Sequence, residues 1–311
     1  MKALICGSLA FDVIMVFEDR FKNHILPDKV HMLSVSFVVP KLRREFGGCA
    51  GNIAYNLGML GGTGNILATV GEDFGPYFEW MTRHNISRDY VHIVPETYTA
   101  QCYITTDLDD NQINAFHPGA MDQSWLLDIP TEAGFTLGLI SPDNPEGIKK
   151  HASQFAEAGI PFIFDPGQAI TRFKGEELLT LIEQATYLAV NDYECQLVQH
   201  YTGLSTEQLT ERLDALIVTR GSEGSYIVSG NEQITIPAAE PQQVVDPTGC
   251  GDAYRAGLLY GLMQGFDWET TGRIASLAGT YKVEVAGTQN HSYDSAEFRA
   301  RFKDSFGYSF E

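Results

Sequence analysis

The sequence predicts an α/β fold, with a mostly parallel central sheet, helices on both of its faces and a small separate β sheet. Three observations support this fold class. Between residues 136 and 237, short apolar runs alternate with helical patterns, as expected of parallel strands joined by helices. Residues 101–107 and 111–117 instead indicate two adjacent strands. Turns rich in glycine and polar residues follow several of the predicted strands.

The composition is that of an ordinary globular chain. It has 311 residues, of which 44% are hydrophobic and 20% charged, enough for a large buried core. No apolar run approaches the roughly 18 residues of a membrane-spanning helix, and no signal-peptide pattern is present, so we expect a cytoplasmic protein. No internal repeat or flexible linker divides the sequence, which predicts a single domain over residues 1–311.

Net charge and cysteine content narrow the expected partners. The formal charge of −19 disfavours binding to nucleic acids and to anionic membranes, because both need a basic surface. The five cysteines are scattered without CxxC spacing, so we expect reduced thiols and no zinc site. An acidic protein that handles polyphosphates would need Mg²⁺ and backbone dipoles to neutralise them locally.

The first strand and the small sheet come from the N-terminal third of the chain. Residues 2–6 read as a buried strand that ends at Gly7, and Ser8 and Asp12 lie in the next turn. Residues 31–39 have the composition of a strand, with partial alternation at Leu33, Val35 and Phe37. Together with 101–107 and 111–117, joined by a turn at Asp109 and Asp110, these segments predict a small sheet built from about 12–18, 31–40 and 100–117.

Two glycines and an asparagine precede and open the first long helix. Gly47 and Gly48 let the backbone approach a ligand closely, and Asn52 offers a donor and an acceptor at the start of an apolar helical pattern. The motif alone is weak. Its value is that it lies about two hundred residues from a second glycine turn that points to the same chemistry.

Polar motifs follow three predicted strands in the middle of the chain. They are Asp165-Pro166-Gly167-Gln168, Asn191-Asp192-Tyr193-Glu194 and Thr219-Arg220-Gly221. Ligands of open α/β sheets bind at the carboxyl ends of the strands, so we expect these motifs to line a site. Asn191 and Glu194 are also an ordinary capping box, and both roles remain open.

The stretch from Val244 to Gly257 carries the strongest signal. Pro247 and two glycines predict a tight turn, after which Ala253, Ala256 and Leu259 recur at helical spacing. The free N–H groups at the start of such a helix suit a phosphate or a developing negative charge. A carboxylate at that place, Asp252, suggests a general base that deprotonates an alcohol during phosphoryl transfer, with simple N-capping as the alternative.

The chain after this turn reads as helices. Their predicted ranges are 251–264, 268–285 and 295–304.

The run from Asp246 to Asp252 resembles the signature of the ribokinase-like, or PfkB, family of small-molecule kinases. The form Asp-Pro-Thr-Gly-x-Gly-Asp-Ala, followed by Arg255-Ala256-Gly257, is similar to bacterial adenosine and broad-specificity nucleoside kinases in particular. Pro247 and Cys250 depart from the residues that are usual in the family. The similarity extends from Gly7 to the last helix and implies a ribokinase-like fold whose small sheet is a lid over the site.

The resemblance implies ATP- and Mg²⁺-dependent phosphorylation of the 5′-hydroxyl of a ribonucleoside, with adenosine as the expected substrate. Asp252 would be the base, with the amides of Gly249, Cys250 and Gly251 around the transferred phosphoryl group. Ribose would be held by Asp12, Gly48 and Asn52. The nucleobase would lie among Ser8, Ser36, Phe116 and Gln168. ATP would contact Asn191, Thr219, Gly221, Gly249 and Gly251.

The same resemblance implies two cation sites and a partner. Glu194 would act on Mg²⁺ through water, and Asp246 would lie at a monovalent cation site, with K⁺ as the expected ion. An exposed lid face also suggests a homodimer formed through the lid.

Three other functions remain open from the sequence. A sugar or sugar-phosphate kinase of the same fold would bind a second phosphate through Lys41, Arg43 and Arg44. A dinucleotide-binding oxidoreductase is disfavoured because Gly7-Ser8-Leu9-Ala10 lacks GxGxxG. A non-catalytic nucleoside-binding protein is disfavoured because Asp252 and its glycines are intact. The absence of a Walker lysine motif leaves the helix N-terminus to neutralise phosphate charge.

Overall fold

A computed structural model describes residues 2–25, 32, 34–109 and 111–310. The strands in these ranges are β1 (Ala3–Cys6), β2 (Ala10–Val16), β3 (Lys41–Gly47), β4 (Gly64–Val70), β5 (Val91–Ile93), β6 (Ala100–Thr106), β7 (Gln112–His117), β8 (Leu137–Ile140), β9 (Phe162–Phe164), β10 (Tyr187–Asn191), β11 (Ala215–Thr219), β12 (Ser225–Ser229) and β13 (Glu232–Ile236). The α-helices are α1 (Cys49–Met59), α2 (Gly75–Arg83), α3 (Pro145–Glu157), α4 (Gly175–Gln184), α5 (Asp192–Thr202), α6 (Thr206–Thr210), α7 (Cys250–Gln264), α8 (Trp268–Val283) and α9 (Ser295–Phe306).

The large sheet has the order β13-β12-β11-β10-β9-β8-β1-β4-β5. Its strands from β11 to β5 pair in parallel, and β12 and β13 form an antiparallel edge. Parallel strands need a crossover between them, and the helical patterns found between the predicted strands supply it. The α/β fold class predicted from the sequence is confirmed.

Both faces of this sheet are covered. Strands β1, β4, β8 and β9 are buried along their whole length, which explains their continuous rather than alternating apolar sequence. One core contains the apolar residues of α1, α7, α8 and α9, and a second core contains those of α3, α4 and α5. Each buried large aliphatic side chain contributes about 1.5–3 kcal/mol relative to an exposed one.

Helix α7 runs through the first of these cores. It is apolar on all sides, as buried helices are, and it packs against α8 and α1. Glycines flank it: Gly249 precedes it with φ of 82° and Gly265 ends it with φ of 74°. Residues with a Cβ avoid these angles, so the glycine turn sets where the helix begins. Asp252 therefore lies in the first turn.

A second, four-stranded sheet has the order β3-β2-β6-β7. Strand β2 pairs antiparallel with β3 and parallel with β6, so Asp12 lies opposite Glu45 on one side and Cys102 on the other. Cys102 in turn lies opposite Phe116 on β7. This sheet is the small lid expected from the sequence.

One strand of the lid was predicted at the wrong place. Residues 34–40 form no strand, and residues 31 and 33 lie outside the described ranges; the lid uses β3 instead of 31–40. Phe37 packs against the rings of Phe17 and Phe21 at 4.7 and 5.1 Å between centroids, so this apolar segment is held by side chains rather than by a ladder. Pro40 lacks the N–H that a paired strand needs, and the ladder begins just after it.

The loop that joins β6 and β7 is organised by Asp107. One carboxylate oxygen accepts the main-chain N–H groups of Asp109 and Asn111, each at 2.9 Å. Asp110, the other residue of the predicted turn, lies outside the described ranges.

In the described part of the chain, none of the helices is both long and apolar enough to cross a bilayer.

Candidate active site

The site is built where two glycine-preceded helices begin side by side. Asn52 lies in the first turn of α1 and Asp252 in the first turn of α7. The Asn52 Nδ2 donates to Asp252 Oδ2 at 2.7 Å, a contact between residues two hundred positions apart. The structure thus brings together the two glycine motifs found in the sequence.

The Asp252 carboxyl is only partly accessible to solvent, and its surroundings change its acidity. Burial, reinforced by the negative charge of Asp165, raises the pKa of Asp252 from 3.8 to about 7, against the hydrogen bond from Asn52 and the charge of Arg255. A carboxyl with such a pKa exchanges protons near neutral pH. This is the property that a general base requires.

A chain of hydrogen bonds fixes the orientation of the Asn52 amide. The Trp80 Nε1–H donates to Gln289 Oε1 at 2.8 Å, and the Gln289 Nε2 donates to Asn52 Oδ1 at 3.0 Å. The indole nitrogen is a donor only, so it determines which end of the Gln289 amide is oxygen. Gln289 then determines which end of the Asn52 amide is oxygen. The nitrogen of Asn52 must therefore point at Asp252.

Tyr77 completes this chain. Its hydroxyl accepts from Gln289 Nε2 at 2.7 Å and donates to the main-chain oxygen of Gly47 at 2.8 Å. Gly51 makes room for it, because a Cβ there would come within 2.1 Å of the Tyr77 hydroxyl and 3.2 Å of Gln289 Nε2. We call Trp80, Gln289, Tyr77 and Asn52 the amide relay.

Below Asp252, one helical turn further along α7, lies a buried ion pair. The Arg255 Nε is 3.1 Å from Asp165 Oδ2, its NH2 group is 3.2 Å from Oδ1, and both side chains are less than a tenth exposed. The guanidinium also donates to the Ala189 carbonyl at 3.1 Å. Removing one partner of such a pair costs about 3–5 kcal/mol, because the other charge stays buried. Arg255 thus joins α7 to the end of β9 through Asp165 and to the middle of β10 through Ala189.

The turn before α7 presents free donors beside Asp252. Within the described residues, the main-chain N–H groups of Gly251 and Asp252 have no acceptor, while the N–H of Cys250 donates to the Pro247 carbonyl at 3.2 Å. Free N–H groups at a helix N-terminus attract anions. The amides of Gly249, Cys250 and Gly251 were predicted to surround a phosphoryl group. The Cys250 amide already donates to Pro247, whereas the Asp252 amide, which was not predicted, is a further free donor.

An open cavity of about 580 Å³ adjoins this turn. It is bounded by the end of β11, by α8 and by the start of α7, and its walls are mainly apolar. Of the five predicted nucleotide contacts, Thr219, Gly221 and Gly251 line it, whereas Asn191 and Gly249 do not. The other lining residues include Ala238, Ala239, Pro241, Val244, Cys250, Tyr254 and Val283. Its size and lining suit a nucleobase and its sugar.

Asn191 and Glu194 form the capping box that the sequence left open. The Glu194 N–H donates to Asn191 Oδ1 at 2.7 Å, and Glu194 Oε2 accepts the Asn191 N–H at 2.8 Å. Burial and the charge of Asp165 raise the pKa of Glu194. No group of three potential metal ligands is found in the described part of the chain, so Mg²⁺ would be held mostly by phosphates and water, with Glu194 Oε1 free to accept from such a water.

The predicted ribose contacts lie on the other side of Asp252. Ser8, which was predicted as a nucleobase contact, lies beside them: it is buried, and its Oγ accepts the Cys49 N–H at 3.1 Å, next to Gly48 at the start of α1. The Asp12 carboxylate has no hydrogen-bond partner among the described residues. Burial, together with the charges of Glu45 and Asp246, raises the pKa of Asp12 to about 6. An acceptor without a partner at the base of the lid suits a hydroxyl-rich ligand.

The predicted nucleobase contacts are less well assembled. Phe116 is 54% exposed and lies on the same face of the lid as Asp12. Two strand spacings separate the two residues, which corresponds to about 10 Å. Ser36 is exposed in the irregular segment before β3, and Gln168 is exposed in a short 3₁₀ turn after β9. Neither of these two makes a side-chain hydrogen bond to the other site residues described above.

The predicted monovalent cation site does not fit K⁺. The main-chain oxygen of Asp246 accepts a hydrogen bond of 2.8 Å from the Lys282 ammonium. Both carboxylate oxygens of Asp246 are engaged as well, by the main-chain N–H groups of Thr248 and Gly287 at 2.9 Å. A buried positive charge already occupies the place where the ion was expected.

The cations proposed for a second phosphate are all paired. Lys41 lies 3.0 Å from Glu18, Arg43 lies 3.7 Å from Glu45, and Arg44 lies 3.4 Å from Asp73. This pairing disfavours a sugar-phosphate substrate.

Several site residues were not recognised in the sequence. Trp80 and Tyr77 lie in an ordinary amphipathic helix, and Lys282 lies at the end of another. Gln289 carried a faint signal, since the polar run Gly287-Thr288-Gln289-Asn290 separates two helices without an obvious structural reason. Arg255 was noted as part of the signature but not as the partner of Asp165.

Comparison with known proteins identifies a family and several similar sequences and structures. A sequence profile of the pfkB family of carbohydrate kinases matches residues 21–295. The chain is 34% identical over 260 residues to a nucleoside kinase of Methanocaldococcus jannaschii, covering 83% of this chain and 85% of that protein. The structure of Burkholderia thailandensis nucleoside kinase in complex with inosine is 49% identical, with a TM-score of 0.90, and covers 99% and 100% of the two chains. The complex of that kinase with ADP-inosine is 52% identical, with a TM-score of 0.87, and covers 99% and 97%.

The raised pKa of Asp252 predicts a stability effect that depends on pH. The folded protein holds this proton up to about pH 7 and the unfolded chain only up to about 3.8, so the free energy of unfolding falls as pH rises between those values. Asp252→Asn removes this loss. Its free energy of unfolding, relative to wild type, should rise by about 1–3 kcal/mol from pH 4 to pH 8.

Urea denaturation at the two pH values measures this difference. Asp304→Asn, at an exposed position of α9, is the matched control and should show little change. An equal effect in both variants would show that the Asp252 carboxyl is not the buried, weakly acidic group described here.

Proposed function

This chain belongs to the pfkB family of carbohydrate kinases, and we propose that it transfers the γ-phosphoryl group of ATP to the 5′-hydroxyl of a ribonucleoside, with adenosine as the leading substrate. It is an ATP-dependent phosphotransferase with an alcohol acceptor. The relatives in Methanocaldococcus jannaschii and Burkholderia thailandensis, which are 34% and 49% identical, are nucleoside kinases, and the second has been solved in complex with inosine and with ADP-inosine. The observation that carries the proposal is the Asp252 carboxyl, which accepts a hydrogen bond from Asn52 and directly follows Gly251, a residue that lines the nucleotide-sized cavity.

Asp252 is the proposed general base. The acceptor oxygen attacks the γ-phosphorus, its proton passes to Asp252, and ADP leaves with the electrons of the broken phosphorus–oxygen bond. A carboxyl with a pKa of about 7 is ionised in a substantial fraction of molecules near neutral pH and is still basic enough to take the proton. The hydrogen bond from Asn52 holds the other carboxylate oxygen in place, so that the free one faces the alcohol.

The start of α7 is the proposed seat of the transferred phosphoryl group. Its oxygens would accept from the free N–H groups of Gly251 and Asp252, with Gly249 shaping the turn. Mg²⁺, when bound, would neutralise negative charge on the phosphate oxygens and so reduce the repulsion of the attacking alcohol oxygen. Glu194, with Asn191 as its cap, would orient a water of that ion. These backbone donors take the place of a Walker lysine.

The cavity beside the turn is the proposed ATP site. Its apolar walls would enclose adenine, while Thr219 and Gly221 at the end of β11 would contact the ribose or the phosphates. Cys250 and Gly251 line the same cavity, which places the phosphate end of the nucleotide next to Asp252.

The lid side is the proposed nucleoside site. Asp12 would accept hydrogen bonds from the two ribose hydroxyls, with Gly48 and Asn52 around the sugar and Ser8 towards the base, so that the 5′ oxygen points at phosphorus. Phe116 would stack on the base from the same face of the lid. Ser36 and Gln168 would join the base contacts only when the lid moves onto the ligand, which also excludes water.

Three statements about the whole molecule belong to the same proposal. We propose that residues 1–311 form one kinase domain with an inserted lid, that two copies associate through exposed apolar residues of that lid, and that the reaction takes place in the cytoplasm. Leu42, Tyr103 and Ile113 are exposed on the lid and support the second statement.

Sedimentation of wild type and of Ile113→Asp would test the lid dimer, since such a dimer should dissociate in the variant.

Asp252→Asn should lower kcat by about 10²–10⁴ or more, because the alcohol then loses its proton acceptor. The asparagine oxygen still accepts from Asn52, so folding and nucleoside binding should persist. Steady-state ADP release and inosine binding by calorimetry measure the two effects. Turnover within about fivefold of wild type would exclude Asp252 as the base.

A substrate panel separates a nucleoside kinase from a sugar kinase. With ATP and Mg²⁺, adenosine and inosine should give the highest kcat/KM, and ribose and fructose 6-phosphate should be poorer by about tenfold or more, since they lack a base for the lid to hold. Guanosine and cytidine complete the set. Fastest turnover of ribose or of fructose 6-phosphate would contradict the proposal.

The amide relay gives a graded test of how Asp252 is positioned. In Gln289→Glu the new carboxylate attracts the Asn52 nitrogen, so the Asn52 oxygen turns towards Asp252. The pKa of Asp252 then rises, and the acidic limb of kcat/KM should move to higher pH, with kcat at pH 7 lower by about tenfold.

Gln289→Met removes the hydrogen bonds of Gln289 but does not turn the Asn52 amide round. It should therefore shift the acidic limb of kcat/KM less than Gln289→Glu does. Gln233→Glu adds the same charge at an exposed site on β13 and should move it little. Equal pH profiles for Gln289→Glu and Gln289→Met would reduce Gln289 to a packing role.

A further inference from the structure

Lys282 is a buried cation beside the proposed phosphate turn. It lies in the last turn of α8, and its side chain is fully buried. Its Nζ donates to the main-chain oxygens of Asp246 at 2.8 Å and Val285 at 3.0 Å. Lysines at helix ends usually extend the ammonium to water, so complete burial against two carbonyls indicates a specific role.

The two carbonyls belong to the segments that hold the turn in shape. The main-chain N–H groups of Val245 and Asp246 both donate to the Val283 carbonyl, at 2.8 and 3.0 Å. The Asp246 carboxylate accepts from the N–H groups of Thr248 and Gly287. The turn before α7 is therefore joined to the end of α8 by these bonds, and Lys282 lies at the junction.

The ammonium also lies under the turn itself. A Cβ built on Gly249 would be 3.6 Å from Lys282 Cε, so the lysine stem passes below the glycine that opens α7. Carbonyl oxygens that converge on a buried point need a positive charge there, and a desolvated ammonium supplies it without any ion from solution. The C-terminal end of α8 adds negative potential that favours a cation at this position.

We propose that Lys282 is a built-in monovalent cation of the active-site turn, so that this kinase needs no K⁺ or other monovalent metal ion. This inference rests on the proposed kinase activity, because the turn it supports is the proposed phosphate site. A K⁺ ion bound to the Asp246 carbonyl would overlap the ammonium and be repelled by its charge. Lys282 is a positioning residue, since it acts through the main chain of the turn.

The first test uses the wild-type protein. Replacing KCl by tetramethylammonium chloride at equal ionic strength should change kcat/KM for inosine by less than about twofold, because the turn keeps its own cation. The melting temperature and the affinity for ADP should be equally insensitive. Activation by K⁺ of about tenfold or more would overturn the proposal.

The second test removes the charge. Lys282→Met keeps the length of the side chain but leaves the Asp246 and Val285 carbonyls without a cation. In tetramethylammonium chloride, ADP affinity and kcat/KM should each fall by about tenfold or more, and KCl should restore part of both, together with the melting temperature. Lys303→Met, in the last turn of α9 and exposed, is the control and should resemble wild type in both salts.

The outcomes separate this inference from the proposed function. If wild type phosphorylates no nucleoside in either salt, the proposed function fails, while ADP affinity and melting temperature still report on Lys282. A Lys282→Met protein with wild-type ADP affinity in tetramethylammonium chloride would overturn the inference even if the kinase is active. If Lys282→Met does not fold, the salt dependence of wild type decides alone.

Discussion

The hydrogen bond between Asn52 and Asp252 is the contact on which the rest of the site depends. It joins the first turns of α1 and α7, which come from opposite ends of the chain and bring with them the lid side and the nucleotide side. Its geometry is set by donors and acceptors that cannot exchange roles, beginning at an indole nitrogen. Such a network holds a reacting group in place before any ligand arrives, so little reorganisation is needed during the reaction.

The site concentrates negative charge in an already acidic protein. Asp12, Asp165, Glu194 and Asp252 lie around it, and burial raises the pKa values of Asp12, Glu194 and Asp252. The described chain balances them with two buried cations, Arg255 and Lys282, rather than with surface lysines. In the proposed reaction, the phosphates of the nucleotide would meet the free N–H groups and the positive end of the dipole at the start of α7. Donors confined to the start of α7 would fix the orientation of a bound phosphate, which a generally basic surface would not do.

The parts of the fold and site that depend on neighbouring residues could be predicted from the sequence. The parts that depend on contacts between distant residues could not. The turn before α7, the capping box at Asn191 and the alternation of strands and helices each depend on neighbouring residues, so they can be read from the sequence. The strand expected at 31–39 was wrong because apolar composition does not distinguish a ladder from aromatic packing around Phe37. The amide relay could not be predicted, since Gln289 and Asn52 are joined only by the tertiary fold, and nothing near Lys282 in sequence distinguishes it from a surface lysine.

The parallel pairing of β2 with β6 has a consequence for how the protein is made. Ala10 lies opposite Ala100, so a chain growing on the ribosome contains β2 for some ninety residues before its partner strand β6 exists. Asn52 waits longer still, until Asp252 has been synthesised. Contacts of such long range close late and slowly. All four lid strands precede residue 118, whereas the core also needs α7, α8 and α9, so the newborn chain should complete its candidate site only in the last stage of its synthesis.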